Sequence, residues 1–195
     1  MPRIVILASG AGSLLQAVLD STLGSLVVAV GSDAEAAPAL LRAQEAGVRT
    51  FVVPVGDDRE AWNRRLAEEL IQCAPDVIVC AGFMRVVGPD VVRAFPGKII
   101  NSHPALLPSF PGAHAVRDAL SYGVKVTGCT IHIVDEGVDT GPILAQQPVF
   151  VQEADSEETL HERIKEVERV LLIDVVLKYL SGETSIVGRS VTIGE

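Results

Sequence analysis

The chain has 195 residues and a formal net charge of −9, from 16 basic and 25 acidic side chains. This balance argues against a nucleic-acid partner, so an anionic ligand needs a local site, and the longest apolar stretches are too short to cross a membrane. Cys73, Cys80 and Cys129 are widely spaced and indicate neither a disulfide framework nor a zinc site. We therefore expect one cytoplasmic domain, residues 1–195, with an aliphatic core, because aromatic residues make up only 4%.

Short apolar strands alternate with helices through the first half of the chain. Strands are predicted at 3–8, 26–30, 51–53 and 76–81. Helices are predicted at 14–19, 34–46 and 57–73. In the last of these helices, Trp62, Leu66 and Leu70 share one face. This alternation is typical of a parallel sheet covered by helices.

The second half has a different pattern. A strand that begins at residue 99 ends with Asn101 and His103, which lie two apart and therefore on one face. The next elements are predicted as a proline-rich loop, a helix at 113–120, an antiparallel strand pair at 126–134 and 143–151, and a long helix from a Ser156 cap to about residue 180. Residues 184–194 are predicted to form a hairpin that turns at Gly188.

A glycine-rich loop, residues 9–13, lies between the first strand and the first helix. Glycines permit tight turns, and the free N–H groups at a helix start bind anions, so the loop is predicted to hold a phosphate. Leu15 occupies the position of the third glycine in the dinucleotide pattern, and the loop has no Walker lysine. A plain strand–helix turn is the alternative, although Asp33 resembles the ribose-binding acid of a nicotinamide fold.

Asn101 and His103 suggest chemistry at a carbonyl group, because an amide can polarise the oxygen and an imidazole can move a proton near neutral pH. Asp139 follows the strand that contains His132, and a carboxylate near an imidazole raises its pKa. The residues alone are also compatible with a structural Asn and His, a structural His132 and an exposed Asp139. The four histidines form no H-E-x-x-H or short pair, so no metal is expected.

Three motifs, in order, resemble the folate-dependent formyltransferase family of purine biosynthesis. They are AGFMR at 81–85, NSHPALLP at 101–108 and DEGVDTGP at 135–142. The resemblance spans nearly the whole chain. It implies a three-layer α/β/α sandwich with a mostly parallel, Rossmann-like sheet and an antiparallel element in the C-terminal half. In this arrangement the N-terminal half binds the phosphate, and the C-terminal half binds the folate and carries out catalysis.

The resemblance also implies a reaction. The enzyme would transfer a formyl group directly from 10-formyltetrahydrofolate, its co-substrate, to the amine of 5-phosphoribosylglycinamide in de novo purine biosynthesis. Asn101 would stabilise the oxyanion, and His103 would be charged or nearly so and act as general acid, with its pKa raised by Asp139. No metal is implied, both partners are small molecules, and the chain is expected to be a monomer or a homodimer.

The resemblance assigns further roles residue by residue. The implied catalytic residues are Asn101, His103 and Asp139. Ribonucleotide contacts are implied for Gly12, Ser13, Leu14, Leu15, Gln16 and Glu168. Folate contacts are implied for Arg59, Met84, Arg85, Val86, Val87 and Asn101. Arg85 could support its own loop or meet the folate tail, and the Leu107–Pro108 peptide bond is expected to be cis.

The loop departs from the family pattern at two positions. Ala11 and Leu14 stand where the family commonly has asparagine. If backbone N–H groups and Ser13 hold the phosphate, little is lost by these replacements. If the asparagine side chains matter in the family, the phosphate affinity of this chain would be lower.

Two other functions remain open. Deformylation to formate uses the same three catalytic residues, but formyltetrahydrofolate deformylases have an additional N-terminal regulatory domain, and methionyl-tRNA formyltransferases have an additional C-terminal tRNA domain. Neither domain is expected here. A non-catalytic nucleotide-binding module would use Gly12 and Asp33. Formyl transfer that depends on added glycinamide ribonucleotide would separate these functions.

Overall fold

The computed structural model of the chain describes residues 1–182 and 184–193. It divides into two compact units, Met1–Ile100 and Asn101–Glu195. The expected α/β fold is confirmed, with a mostly parallel sheet and an antiparallel element in the C-terminal half. The single domain of residues 1–195 stays a prediction.

The first unit is built from alternating strands and helices. Its strands are β1 (Ile4–Leu7), β2 (Val27–Ser32), β3 (Arg49–Val52) and β4 (Val77–Cys80). Its helices are α1 (Ser13–Leu19), α2 (Pro38–Glu45), α3 (Arg59–Cys73) and α4 (Pro89–Ala94), with a 3-10 turn at Gly24–Leu26. The strand order is β3-β2-β1-β4, and each neighbouring pair is parallel. Every residue of β1 and β4 is buried, as parallel strands covered on both faces require.

Two helices of this unit differ from the sequence-based expectation. The helix expected at 34–46 begins at Pro38, because a proline suits the first helical turn while it forces the preceding Ala37 into an extended conformation. Helix α4 was not predicted from its six residues, and it also begins with a proline. Helix α3 matches the expectation closely: Asp58 caps it by accepting a hydrogen bond from the Ala61 N–H, and Trp62 is buried.

The second unit combines an antiparallel pair with a long helix. Its elements are β5 (Ile99–His103, which begins at the end of the first unit), α5 (Ala115–Tyr122), β6 (Val126–Ile133), β7 (Ile143–Phe150), α6 (Glu157–Leu180), β8 (Thr184–Val187) and β9 (Ser190–Ile193). The strand order is β5-β6-β7, and β6 and β7 are antiparallel, as expected. Strands β8 and β9 form the predicted C-terminal hairpin, whose expected last residue, 194, lies outside the described residues.

The core of the second unit lies between its helices and the β6–β7 pair. Its buried members are Val116, Cys129, Val149, Leu160 and Ile164. Helix α6 begins where the sequence predicts, because the Ser156 hydroxyl accepts a hydrogen bond from the Thr159 N–H and Thr159 bonds back. Among the described residues of both units, no helix is long and apolar enough to span a membrane.

Candidate active site

Asn101 and His103 lie near the end of β5, and a neighbouring histidine fixes the amide. The Nδ2 atom of Asn101 lies 3.2 Å from Nε2 of His132 on β6. The other ring nitrogen of His132, Nδ1, lies 3.0 Å from the carbonyl oxygen of Ile133. Because a carbonyl can only accept, the proton of Nδ1 is donated to Ile133, and an Nε2 atom without a proton accepts from Asn101. His132 therefore orients the amide of Asn101.

Asp139 lies between the two histidines. Its Oδ2 atom is 3.4 Å from Nδ1 of His103, and its Oδ1 atom is 3.5 Å from Nε2 of His132. The Gly112 N–H donates to Oδ2 at 2.7 Å. Asp139 has a φ of 54°, an uncommon backbone conformation for a residue with a side chain. The structure thus brings together Asn101, His103 and Asp139, three residues from one strand and one loop.

The electrostatics of this cluster correct one expectation. Burial lowers the pKa of His103, and the Asp139 carboxylate offsets this effect only in part. Asp139 thus raises the pKa of His103 as expected, but the expectation that the ring is charged or nearly so is wrong, because burial lowers the pKa by more. Burial alone would raise the pKa of Asp139, but its contacts with His132, Gly112 and His103 outweigh burial, and the pKa lies below its usual value. At neutral pH the cluster contains a neutral His103 and an ionised Asp139.

The neutral ring of His103 has a defined acceptor. Its Nε2 atom lies 2.8 Å from the carbonyl oxygen of Phe110 and must donate to it. The lone pair of the neutral ring is then on Nδ1, the nitrogen that faces Asp139. A proton that reaches Nδ1 would form an ion pair with the carboxylate. The arrangement is therefore suited to accepting a proton and stabilising the charge that results.

The loop after β5 is held in place by a buried threonine. The Thr130 hydroxyl donates to the Ala105 carbonyl at 2.7 Å and accepts from the Leu107 N–H at 3.0 Å. The Leu107–Pro108 peptide bond is cis, as predicted. These contacts fix the start of the loop that provides the Phe110 carbonyl to His103.

Glu168 lies on α6 and contacts Ser102 rather than the histidines. The Ser102 hydroxyl donates to a Glu168 carboxylate oxygen. Burial raises the pKa of Glu168, although the bond from Ser102 acts in the opposite direction. Alternation along β5 places Ser102 on the face opposite Asn101 and His103. Glu168 therefore extends the set of polar groups around β5 on its second face.

In the first unit, the glycine-rich loop leads directly into α1. Gly12 has a φ of 73°, and a Cβ atom there would lie 2.8 Å from the Cα atom of Ala39, so the position requires glycine. The side chains of Leu14 and Leu15 are buried, which leaves only their backbone groups for a ligand. The first N–H groups of α1 have no partner within the helix and can bind an anion.

Arg42 is a residue of this loop region that the sequence did not indicate. Its Nε donates to the Ala11 carbonyl at 2.8 Å, and one Nη donates to the Gln16 side chain at 3.1 Å. Gln16 in turn donates to Asp20. Arg42 lies on α2, about thirty residues after the loop, and only the packing of that helix brings a cation to this position.

Residues 84–87, here called the 84–87 segment, follow β4 and expose apolar side chains. Met84 and Val86 are 70% and 53% exposed, whereas Val87 is buried. The Arg59 guanidinium donates to the Val86 carbonyl at 2.8 Å and lies 4.5 Å from the centre of the Trp62 ring. This segment belongs to the first unit. Folate binding by the C-terminal half stays a prediction.

Comparisons with known proteins agree with this arrangement. Residues 2–176 match the formyl transferase family. The phosphoribosylglycinamide formyltransferase of Mycobacterium tuberculosis is 52% identical over 197 aligned positions, which cover 98% of this chain and 91% of that protein. The structure of glycinamide ribonucleotide transformylase 1 from Symbiobacterium toebii superposes with a TM-score of 0.96 at 41% identity, over 100% of this chain and 95% of that one. A formyltetrahydrofolate deformylase from Pseudomonas syringae gives a TM-score of 0.92 at 26% identity, over 100% of this chain and 66% of that one.

The chain therefore belongs to the formyl transferase family. Within this family it is one of the phosphoribosylglycinamide formyltransferases, which transfer a formyl group in purine biosynthesis from a folate-derived donor. The family resemblance of the three sequence motifs is thus confirmed.

Proposed function

We propose that the enzyme transfers the formyl group of 10-formyltetrahydrofolate directly to the amine of 5-phosphoribosylglycinamide, with Asn101, His103 and Asp139 as catalytic residues. The observation that carries this proposal is the position of Asp139, which lies within 3.5 Å of His103 and of His132, the ring that orients Asn101. Acyl transfer to an amine is accelerated by an amide donor that stabilises the oxyanion and by a base that moves the proton, and a carboxylate stabilises the base once it is charged.

Asn101 is proposed to stabilise the oxyanion. When the substrate amine attacks the formyl carbon, the carbonyl oxygen gains negative charge. The Asn101 amide has two N–H groups, of which one binds His132 and the other remains for the oxyanion. Loss of a donor of this kind costs about 3 kcal/mol of transition-state stabilisation.

His103 is proposed to move the proton. Its neutral Nδ1 accepts the proton that the attacking amine loses, and Asp139 stabilises the imidazolium. As the bond between the formyl carbon and the folate nitrogen breaks, His103 returns the proton to that nitrogen. The tetrahydrofolate leaves neutral, and the formylated amide is the second product. Proton transfer of this kind contributes on the order of 10²–10⁴-fold to the rate.

Substrate binding is proposed to use two further regions. Backbone N–H groups of Gly12, Ser13, Leu14 and Leu15, with the Ser13 hydroxyl, would hold the phosphate. The Gln16 N–H already donates to the Gly12 carbonyl at 2.8 Å and is not available to it. Because the leucine side chains are buried and Arg42 supplies a cation beside the loop, the asparagines common in the family are not required there. Glu168 would contact the ribonucleotide. Arg59 and the 84–87 segment would contact the folate, against the exposed apolar surface of Met84 and Val86.

The alternative functions make different demands on the protein. In a deformylase, water replaces the amine and formate is released without the ribonucleotide. In a nucleotide-binding module, Asp33 would have to accept a ribose hydroxyl, yet its Oδ2 pairs with Arg85 and its Oδ1 is buried. The geometry therefore favours the transferase over the binding module.

The test is a product assay on the purified enzyme with 10-formyltetrahydrofolate, with and without 5-phosphoribosylglycinamide. We expect tetrahydrofolate and formylated ribonucleotide to form in equal amounts, only when the ribonucleotide is present. The His103→Ala variant is the control for catalysis by the site, and dialysis against EDTA should leave the rate unchanged. Equal release of formate with and without the ribonucleotide would show a deformylase instead.

A further inference from the structure

Asp33 is a buried carboxylate in the first unit that the proposed reaction does not use. It directly follows β2, and its side chain is only 3% exposed. Its Oδ2 atom accepts a hydrogen bond from Nε of Arg85 at 2.7 Å. Its Oδ1 atom is buried and has no hydrogen-bond partner among the described residues. A carboxylate in this position normally needs a structural or functional reason, because its burial is unfavourable without compensation.

The ion pair with Arg85 supplies that compensation. Burial opposes ionisation of Asp33, but hydrogen bonds to Ser9 and Arg85 outweigh it, so the pKa of Asp33 lies below its usual range. The carboxylate is therefore charged at neutral pH. The Arg85 side chain is still 47% exposed, so one edge of its guanidinium is anchored to Asp33 while part of the side chain faces solvent.

Ser9, two residues after β1, binds the residues at and just before the 84–87 segment. Its N–H donates to the Gly82 carbonyl at 3.1 Å, and its hydroxyl accepts from the Met84 N–H at 2.9 Å. Asp33 and Ser9 thus bind consecutive residues from the ends of two neighbouring strands. Asn63 on α3 holds the other end, where its Oδ1 accepts from the Gly88 N–H at 2.6 Å.

We propose that Asp33 is a positioning residue for the folate site, which fixes Arg85 and, together with Ser9, the conformation of the 84–87 segment. The proposal rests on the proposed function, in which this segment contacts the folate. It assigns Arg85 to the support of the segment through Asp33. The proposal also explains why the Asp33 carboxylate is buried, although a charged residue just after a strand is usually exposed. Because Met84 and Val86 are exposed, packing of their side chains cannot hold the segment, and Asp33 holds it through Arg85 instead.

The test measures the affinity of the enzyme for tetrahydrofolate together with the KM for the ribonucleotide. We expect Asp33→Asn to weaken tetrahydrofolate binding about tenfold, because a neutral amide holds the guanidinium less firmly. The KM for the ribonucleotide should stay within about twofold, a split that general destabilisation of the unit would not produce. Asp76→Asn is the matched control, because Asp76 binds the Arg3 backbone N–H in the same unit but away from the segment.

Substitutions of Arg85 complete the test. Arg85→Ala should weaken tetrahydrofolate binding as much as Asp33→Asn, and the double variant should bind no more than about twofold more weakly than either single variant. Arg85→Lys keeps a cation for Asp33 and should therefore bind tetrahydrofolate almost as tightly as the wild type. If Asp33→Asn does not fold, the comparison of Arg85→Lys with Arg85→Ala still tests the proposal. Any one of three results would overturn the proposal. They are wild-type affinity of Asp33→Asn for tetrahydrofolate, multiplicative losses of affinity in the double variant, and binding by Arg85→Lys that is as weak as binding by Arg85→Ala. If the wild-type enzyme itself does not bind tetrahydrofolate, the proposed function fails instead.

Discussion

The position of His103 between a carbonyl and a carboxylate determines how it can act. The Phe110 carbonyl requires a proton on Nε2, and burial disfavours a second proton on the ring. The ring is therefore neutral before substrate binds, and its first step is to accept a proton. Asp139 then contributes most after this step, when the ring is charged. We therefore expect His103 and Asp139 to act as one unit, so that their contributions to the rate are not independent.

The first prediction follows from this coupling. His103→Ala should reduce kcat on the order of 10²–10⁴-fold, because it removes the acid–base group. Asp139→Ala should cause a smaller loss, and the double variant should lose little more than His103→Ala alone. The measurement is kcat at saturating substrates for all four proteins, with Asp118→Ala, an exposed residue of α5, as control. Fully multiplicative losses would mean that Asp139 works independently of His103.

His132 illustrates what an isolated residue can and cannot indicate. The sequence predicts a hydrogen-bonded structural histidine on a strand, and the hydrogen bonds are present. One of their partners, however, is Asn101, so the structural role of His132 serves the catalytic cluster. The signal in the sequence was that His132 shares one face of the predicted strand with Thr130. Its neighbours could not be identified without the order of the strands.

At the scale of elements, α1 and its preceding loop give the second prediction. Ser13→Glu places a negative charge at the start of the helix, and two charges about 4 Å apart repel by about 1–4 kcal/mol. The KM for the ribonucleotide should therefore rise at least fivefold, while the KM for 10-formyltetrahydrofolate should remain close to that of the wild type. Ser121→Glu, at an exposed serine of α5, is the matched control. Steady-state kinetics that show equal rises in both constants would argue against the phosphate site.

A substitution at Ser13 is preferable to one at Gly12. Any side chain at Gly12 would meet the backbone of Ala39 and would also strain a residue with positive φ. Such a variant would lose stability whatever the loop binds. Ser13 is partly exposed and begins α1, so its substitution tests the ligand rather than the fold.

The C-terminal hairpin β8–β9 gives the third prediction. Arg189, in its turn, donates to the carbonyl oxygen of Thr140 at 2.7 Å, directly beside Asp139. Asp135 holds the same loop from within by accepting from the Thr140 hydroxyl and the Gly137 N–H. Loss of one such bond costs about 1 kcal/mol, so Arg189→Ala should lower kcat about fivefold with little change in either KM.

The control for this prediction is Arg117→Ala, at an exposed arginine of α5 that contacts the neighbouring Asp118. The two variants remove the same charge from the same unit. A kcat for Arg189→Ala equal to that of the control would show that the hairpin does not support the Asp139 loop. The family match ends at residue 176, before this hairpin begins.

For the molecule as a whole, local patterns predicted the regular elements better than the contacts between them. Hydrophobic periodicity was sufficient for α3, and the Ser156 cap was sufficient for the start of α6, because these signals lie within or next to each helix. The starts of α2 and α4 depended on prolines, whose effect on the preceding residue outweighed the apolar pattern.

The site was predictable where a motif is continuous in sequence and not where it depends on tertiary contacts. The residues of β5 and the Asp139 loop could be named from motifs that resemble a known family. Arg42 and the ion pair of Asp33 with Arg85 join residues that are far apart in the chain, and no periodicity indicates such pairs. The motifs indicated a carboxylate near His103, so a raised pKa was expected for this ring. The extent to which the ring is buried, which lowers its pKa, cannot be inferred from a motif.

The buried, neutral His103 also makes a prediction about the stability of the whole protein. Its folded-state pKa is lowered below the value of about 6.5 expected in the unfolded chain. Below that value the unfolded chain binds the proton more readily, so the contribution of this group to stability is lost as the pH falls from about 6.5 through the folded-state pKa. The loss has a slope of at most about 1.4 kcal/mol per pH unit for one group.

His103→Gln removes this titration and should change the shape of the stability profile. We expect the free energy of unfolding of the wild type, measured with urea between pH 7 and pH 5, to fall more steeply than that of the variant. His161 and Asp139 are present in both proteins, so their own titrations largely cancel in the comparison, although loss of the His103 charge slightly raises the pKa of Asp139. His114→Gln, at an exposed histidine, is the control for the loss of one imidazole. Parallel profiles for the wild type and His103→Gln would mean that His103 titrates alike in the folded and unfolded chains, and burial would then not be what lowers the pKa of this ring.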